Sequence, residues 1–252
     1  MPGANPHPAR PIDDVFIGTS GWQYRHWRGP FYPPEVPQKG WLSFYADRFS
    51  VVEVNATFYR LPTEATVDRW RSSTPESFRF AVKASRYITH IKRLASAAAE
   101  IAQFYDRMSA LREKRGPVLF QTPPTLPLDL ASLRSTLDAI PDTGTAAFEF
   151  RHPSWQSDAV TDLLNDHGST WVVADRAGSA QEIPQVGGWS YIRFHQGPHE
   201  DTSYGGALDA WPARLERAAA PRYVFFNNDA QAAAIRDAAY LRAAVGAVAA
   251  AV

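Results

Sequence analysis

The chain has 252 residues, of which 45% are hydrophobic and 21% are charged, so it can bury a large core and does not have the composition of a disordered protein. Its 26 basic and 26 acidic side chains cancel. Because polyanion-binding proteins generally carry a basic excess, charge does not indicate a nucleic-acid partner. The sequence has no cysteine, which excludes disulfides, thiolate catalysis and cysteine-ligated metal sites.

We expect no targeting signal at either end of the given sequence. Residues 1–13 are rich in proline and lack an apolar run, which predicts a flexible N-terminal tail and not a signal peptide. The alanine-rich C-terminal run is too short to span a bilayer. We therefore expect a cytoplasmic protein with no membrane partner, in which residues 14–252 form a single domain.

Eight strand-like runs, short and rich in β-branched and aromatic residues, recur along the chain. They cover residues 15–18, 51–55, 78–83, 117–121, 146–150, 171–175, 191–195 and 223–227. Helical patterns fill most of the gaps, at residues 40–49, 64–72, 96–112, 128–139, 158–167, 207–219 and 230–245. Residues 177–188, between the sixth and seventh strands, lack helical periodicity and contain Pro184 and adjacent glycines, so we expect a loop there without a regular helix.

This alternation of strands and helices predicts an α/β protein with a parallel sheet. Eight such units in a chain of this length favour closure of the sheet into a parallel, eight-stranded, TIM-type (β/α)₈ barrel. Enzymes with this fold hold their chemistry at the C-terminal ends of the strands, in the mouth of the barrel.

Polar side chains recur at those strand ends. Side chains alternate along a strand, so Val52 and Val54 share one face and Glu53 lies on the other. The apolar faces suit packing against outer helices, and the polar faces then point into the barrel. The residues expected to converge on one mouth are Glu53, Asn55, Lys83, Gln121, Glu149, Arg151, Asp175, Arg193, His195 and Asn227.

Chemical roles follow from the side-chain types. The candidates for catalysis, by acid–base chemistry or by a lysine Schiff base, are Glu149, Asp175, His195, Lys83 and Glu53. The candidates for substrate binding are Arg151, Arg193, Asn55, Gln121, Asn227, Trp22, Tyr24 and His152. Three alternatives stay open: the arginines neutralise Glu53 and Glu149 in a buried network, Lys83 forms an ion pair, and His152 caps a helix.

The chain resembles the YecE-like family, the domain of unknown function family 72. The residues that carry the resemblance are GTSGWQYRHW (18–27), FYP (31–33), VEVNATFYRLP (52–62), FAVKASRYITH (80–90), QTPP (121–124), FEFRHPSW (148–155), Asp175, YIRFHQG (191–197) and FNND (226–229). Gln196 departs from the family pattern, in which histidine is often followed directly by glycine. The resemblance implies a TIM-type barrel and leaves the reaction open.

Three functions compete on this evidence. The first is an enzyme that uses acid–base chemistry on a small polar or anionic metabolite, as a hydrolase, isomerase or lyase. The second is a divalent-metal-dependent enzyme that processes nucleic acid, and the third is a non-catalytic barrel that binds a metabolite. Glu149, Asp175, His195 and Asp229 are of the types that bind Mg²⁺ or Mn²⁺. No local metal motif is present, so we assign no metal ligand and no required cofactor. The oligomeric state is left open.

Overall fold

The computed structural model describes residues 14–141, 145–176 and 182–250. Eight parallel strands, hydrogen-bonded in sequence order with β8 joined to β1, close into a barrel. The strands are β1 (Val15–Ser20), β2 (Val51–Val54), β3 (Arg79–Lys83), β4 (Arg115–Gln121), β5 (Ala146–Glu149), β6 (Thr170–Arg176), β7 (Ser190–Gln196) and β8 (Arg222–Phe226). The predicted parallel TIM-type barrel is therefore confirmed.

Helices lie between the strands and after the last one. They are α1 (Trp41–Ala46), α2 (Ala56–Tyr59), α3 (Glu64–Ser72), α4 (Ala98–Met108), α5 (Leu130–Asp138), α6 (Asp158–Asp166), α7 (Trp211–Arg217) and α8 (Ala233–Ala250). The start of α3 is fixed by Thr63, whose side chain accepts a hydrogen bond from Thr66 N, and the start of α5 by Asp129, which accepts from Ser132 N. Within the described ranges, none of these helices combines the length and apolar character needed to cross a bilayer.

Several short helical segments were not predicted from the sequence, including two that follow β2 and β3. The helix α2 follows β2 directly, and a π-helical turn, Tyr87–Ile91, follows β3. Both are too short to show a helical period in the sequence. Residues 182–189 before β7 contain no helix, in agreement with the expected loop. The remainder of that loop (177–181) and the predicted tail (1–13) lie outside the described residues.

The barrel separates two apolar clusters. Outward-facing strand residues such as Phe120 and Phe148 pack with helix residues such as Leu133 in the main core. A second cluster consists almost entirely of strand residues, which identifies it as the barrel interior: Val51, Ala81, Leu119, Ala147, Val172, Trp189, Tyr191 and Phe225. Each of the two clusters takes alternate positions along the strands, as predicted.

The interior changes from apolar to polar toward the C-terminal ends of the strands. Two residues beyond Val51, Ala81, Leu119, Ala147, Tyr191 and Phe225, on the same face, the strands carry Glu53, Lys83, Gln121, Glu149, Arg193 and Asn227. The apolar layer closes the barrel from below. It therefore forms an apolar floor beneath the polar groups of the mouth.

Candidate functional site

A buried ion cluster lies at the centre of the barrel mouth. Arg193, only 1% exposed, donates from Nη2 to Glu53 Oε1 at 2.8 Å and from Nη1 to Glu149 Oε2. Neither carboxylate is more than 2% exposed. We call these three residues the Arg193 triad. Its members come from β7, β2 and β5, so it ties together strands that are distant in the sequence.

Further polar side chains complete the hydrogen bonding of both carboxylates. Glu53 accepts from the hydroxyls of Ser20 at 2.7 Å and Tyr191 at 2.6 Å. Glu149 Oε1 accepts from Gln121 Nε2 at 2.9 Å and lies 3.2 Å from His195 Nε2. Buried charges are tolerated only when they are paired and hydrogen-bonded, and the triad meets both conditions.

The triad stays ionised over the physiological pH range. Burial raises the pKa of Glu149, but the charge of Arg193 and the contact with His195 outweigh it, so this pKa lies well below its usual range. The pKa of Glu53 is also lowered, since Arg193, Tyr191 and Ser20 outweigh burial. Burial lowers the pKa of Arg193, but the two carboxylates raise it above its ordinary value. Neither carboxylate is therefore poised to exchange protons near neutral pH.

A pocket of about 560 Å³ opens above the triad. We call it the mouth pocket. It is lined by Tyr24, Asn55, Phe58, Tyr59, Lys83, Gln121, Arg151, Arg176, Arg193, His195 and Asn227. Its described lining contains four cationic side chains and no carboxylate. The triad carries one excess negative charge, which the charges of Lys83, Arg151 and Arg176 together exceed, so the pocket favours an anionic ligand.

Lys83 is the one lysine in the described lining of the mouth pocket. Its Nζ donates to Gln121 Oε1 at 2.9 Å and lies 4.3 Å from the centre of the Phe58 ring. Burial, reinforced by the nearby charge of Arg193, lowers the pKa of Lys83 to about 8. Glu53 and Glu149 act in the opposite direction without cancelling these effects. The Lys83 amine is therefore half-deprotonated at about pH 8.

Arg151 and Arg176 hold the outer part of the pocket. Both are exposed, and Arg151 makes no hydrogen bond or ion pair with any residue that the structure describes. A guanidinium with unused donors can bind a carboxylate or phosphate through two hydrogen bonds. His90 belongs to the same electrostatic neighbourhood, because burial and the charges of Lys83 and Arg151 lower its pKa.

His195 is fixed from both sides of its ring. Its Nε2 lies 3.2 Å from Glu149 Oε1, and its Nδ1 lies 3.2 Å from Asn227 Nδ2. The amide of Asn227 is a donor, so Nδ1 accepts and Nε2 carries the proton given to Glu149. Glu149 and Asn227 thus set both the orientation and the tautomer of this imidazole.

Ten of the thirteen predicted site residues come together in this region. Eight of them line the mouth pocket: Tyr24, Asn55, Lys83, Gln121, Arg151, Arg193, His195 and Asn227. The other two, Glu53 and Glu149, lie directly beneath it in the triad. Asp175, Trp22 and His152 lie elsewhere.

The expected place of Asp175 in the ring of polar strand ends is wrong. In the register between β6 and β7, Ala174 lies beside inward-facing Arg193 and Asp175 beside Phe194, which packs in the outer core. Asp175 is fully buried on that outer face, next to Tyr204, whose hydroxyl donates to the Asp175 carbonyl oxygen. The neighbouring residue, Arg176, lines the pocket instead.

Trp22 and His152 are turned away from the mouth pocket. Trp22 is 4% exposed and packs edge-on against Trp70 at 5.8 Å, at a smaller cavity beside the pocket. His152 caps the 3-10 helix Pro153–Trp155 by accepting from Ser154 N, which is the capping alternative considered above. We assign neither side chain to the binding of a ligand.

Three residues of the pocket lining, Phe58, Tyr59 and Arg176, were not predicted from the sequence. Phe58 and Tyr59 are carried by the short helix α2, and the Tyr59 side chain is 73% exposed at the edge of the pocket. An exposed aromatic ring at the edge of a polar pocket suits stacking on a flat or ring-shaped ligand. The two aromatic residues are visible in the sequence ATFY after β2, but nothing in that sequence showed that their rings face the mouth.

The four residues considered for a divalent metal do not form one site. Asp229 accepts from Trp27 Nε1 at 2.7 Å and pairs with His26, while Asp175 faces the outer core. Across the described part of the chain, no three histidine or carboxylate side chains are grouped so as to hold a metal ion. The oxygen-rich cluster that Mg²⁺ or Mn²⁺ requires is not found there.

The barrel and its polar mouth define the class: a TIM-type α/β barrel with a built pocket at the C-terminal ends of its strands. The sequence model of the family described as "Protein of unknown function DUF72" matches residues 16–252, and the chain belongs to this family.

Individual relatives agree with this assignment. The chain is 33% identical over 144 residues to the UPF0759 protein YecE of Escherichia coli K12, a match to 56% of this chain and 50% of YecE. It is 30% identical over 152 residues to the UPF0759 protein YunF of Bacillus subtilis, a match to 57% of this chain and 52% of YunF. The matches thus span about half the length of these curated relatives.

Solved structures match over nearly the whole chain. A DUF72 family protein from Thermotoga maritima is 26% identical, with a TM-score of 0.81, covering 92% of this chain and 99% of that one. A DUF72 family protein from Enterococcus faecalis is 19% identical, with a TM-score of 0.71, covering 92% of this chain and 97% of that one. The second likeness supports the fold alone.

Proposed function

We propose that this protein is an enzyme that binds a small anionic metabolite in the mouth pocket and acts on it by acid–base chemistry. The observation that carries the proposal is the chemistry of the pocket. A volume of about 560 Å³ suits a metabolite, and its described lining is rich in cations and free of carboxylates. A cytoplasmic location, where such metabolites occur, belongs to the proposal.

We propose a separate role for each group of pocket residues. Arg151 and Arg176 bind the anionic group of the ligand, because they stand at the edge of the pocket and are exposed. Proton exchange with the ligand is assigned to Lys83, which lines the pocket and has its pKa lowered to about 8, and to His195, which lines the same pocket. Asn55 and Asn227 orient its uncharged polar groups.

Glu53, Glu149 and Arg193 then act on the ligand indirectly. Arg193 pairs with both carboxylates, and the hydrogen bonds of the carboxylates hold Gln121, His195 and Tyr191 in place. We propose that Glu149 is a positioning residue for His195. This is a different role from the direct proton transfer considered from the sequence, and it follows from the lowered pKa of Glu149.

Anion binding and turnover can be tested together. Thermal unfolding is followed with a panel of phosphate monoesters and of mono- and dicarboxylates, and NMR monitors each compound for conversion. We expect members of the panel to raise Tm in the wild-type protein and much less in Arg151→Gln, since a charged hydrogen bond contributes about 1.5–3 kcal/mol. The matched control is Arg134→Gln, which changes an exposed arginine on α5 and should behave as wild type.

The outcomes separate the competing functions. A rise in Tm with no conversion of any compound favours the non-catalytic metabolite-binding barrel. No rise in Tm with any anion, or an equal rise in Arg151→Gln, refutes the proposed pocket. Binding of DNA or RNA that weakens steeply with salt would support the nucleic-acid alternative instead.

A further inference from the structure

We infer that Lys83 forms a Schiff base with its substrate, and that the substrate is an aldehyde or ketone that carries a carboxylate or phosphate group. The inference rests on the proposed function, because the anionic group is held by the arginines of the same pocket. It goes further by naming a covalent step and the class of carbonyl compound that undergoes it.

The position of Lys83 differs from that of every other lysine in the chain. Lys39 is exposed, Lys92 pairs with Glu100 at 2.7 Å, and the Lys114 amine donates to carbonyl oxygens at 2.6 and 2.7 Å. Lys83 lines the mouth pocket and forms no ion pair with any described carboxylate. Its amine is therefore the one placed against a bound ligand.

The surroundings of Lys83 favour the free amine that a nucleophile needs. The amine is largely buried and makes no direct ion pair with a described carboxylate, and burial together with the charges of Arg193 and Arg151 outweighs the opposing effect of the two triad carboxylates. Lysines activated in this way are either desolvated or placed beside another cation, and Lys83 is both. With a pKa of about 8, half of the amine is free at that pH, against about 0.3% for an ordinary lysine.

Gln121 fixes the direction of the amine without consuming its lone pair. Its Oε1 accepts one N–H at 2.9 Å, and its Nε2 donates to Glu149, so the amide cannot flip without losing a hydrogen bond. The chain Lys83–Gln121–Glu149 therefore anchors the nucleophile to the buried triad. This preorganisation reduces the entropy that would be lost when the amine meets a carbonyl carbon.

The covalent step is balanced without any co-reactant. The Nζ lone pair attacks the carbonyl carbon and forms a C–N bond, and a proton passes from nitrogen to the carbonyl oxygen. The resulting hydroxyl leaves with the second amine proton as one molecule of water, which gives a C=N bond. Protonation of this imine makes it an electron sink for cleavage or proton loss at the adjacent carbon. A lyase or isomerase reaction follows from such an intermediate.

Reductive trapping tests the inference on the intact protein. Pyridoxal 5′-phosphate serves as an anionic aldehyde, and pyridoxal, which lacks the phosphate, as its neutral counterpart. After brief exposure and reduction with borohydride, peptide mass spectrometry measures the label on each lysine. We expect pyridoxal 5′-phosphate to label Lys83 about tenfold faster than Lys39, and about tenfold faster than pyridoxal does. Arg151→Gln should remove most of the difference between the two aldehydes.

Two further variants complete the test. In Lys83→Arg the charge is kept and labelling of the pocket should vanish, while Arg134→Gln should be labelled as wild type. Equal labelling of Lys83 and Lys39 by pyridoxal 5′-phosphate overturns the inferred Schiff base. The proposed function would survive that result if anions still raise Tm. Equally rapid labelling of Lys83 by both aldehydes would support Lys83 as a nucleophile and refute the anionic character of the substrate.

Discussion

Replacement of Arg193 by methionine tests whether the buried triad holds the barrel mouth together. The side chain is fully buried and makes charged hydrogen bonds to both Glu53 and Glu149. Its removal leaves two ionised carboxylates in a closed barrel interior. Breaking a buried ion pair by removing one partner costs about 3–5 kcal/mol. Here one substitution leaves two buried carboxylates without their cationic partner. We expect Arg193→Met to lose at least this much stability near neutral pH.

The loss should depend on pH with a definite sign. In the wild type the pKa values of Glu53 and Glu149 lie below the unfolded value of 4.5. Their contribution is therefore present above that pH and is lost as pH falls through the folded pKa values. Without the cation, burial raises both pKa values above 4.5, so the variant is penalised increasingly as pH rises. The difference between the two proteins should grow with pH.

Urea unfolding followed by circular dichroism, at about pH 5 and about pH 7.5, measures this difference. The matched control is Arg236→Met, because Arg236 pairs with Asp201 at the surface, where ion pairs contribute about 0–1 kcal/mol. The triple variant with Glu53→Gln and Glu149→Gln should recover much of the loss, since no stranded charge remains. A loss for Arg193→Met below about 1 kcal/mol, or one equal at both pH values, would refute the reasoning.

Two other predictions concern packing and titration. An alanine Cβ at Gly18 would lie 2.2 Å from the Val51 carbonyl oxygen. Gly18→Ala should therefore force β1 away from β2 and lower the free energy of unfolding by about 1–3 kcal/mol or more. An unchanged midpoint of urea unfolding would contradict this prediction. The rate at which a neutral acylating reagent modifies Lys83 should rise with pH and level off above about 8, because burial lowers the pKa of Lys83. The rate for exposed Lys39 should keep rising toward about pH 10.5. Parallel pH profiles for the two lysines would show that the pKa of Lys83 is unperturbed.

Much of the site could be predicted because side chains alternate between the outer and the inner face on every strand of the barrel. On β2, β5, β7 and β8 the apolar outer face and the polar inner face differ clearly, so strand periodicity alone identified Glu53, Glu149, Arg193 and Asn227 as inward-facing. On β6 both faces carry apolar residues, and Asp175 was chosen for its place at the strand end. Only the register with β7, which sets Ala174 beside Arg193, decides which face points inward.

The sequence by itself determined the barrel and the end at which polar groups gather. Both follow from local periodicity, which each strand and helix carries within its own residues. The tertiary structure alone decided how the charges pair, because Arg193 meets carboxylates that are 140 and 44 residues away in the chain. That pairing engages Glu53 and Glu149 with Arg193 and leaves Lys83 and Arg151 facing the pocket. No pattern in the sequence distinguishes a charge that is already paired from one that is available to a ligand.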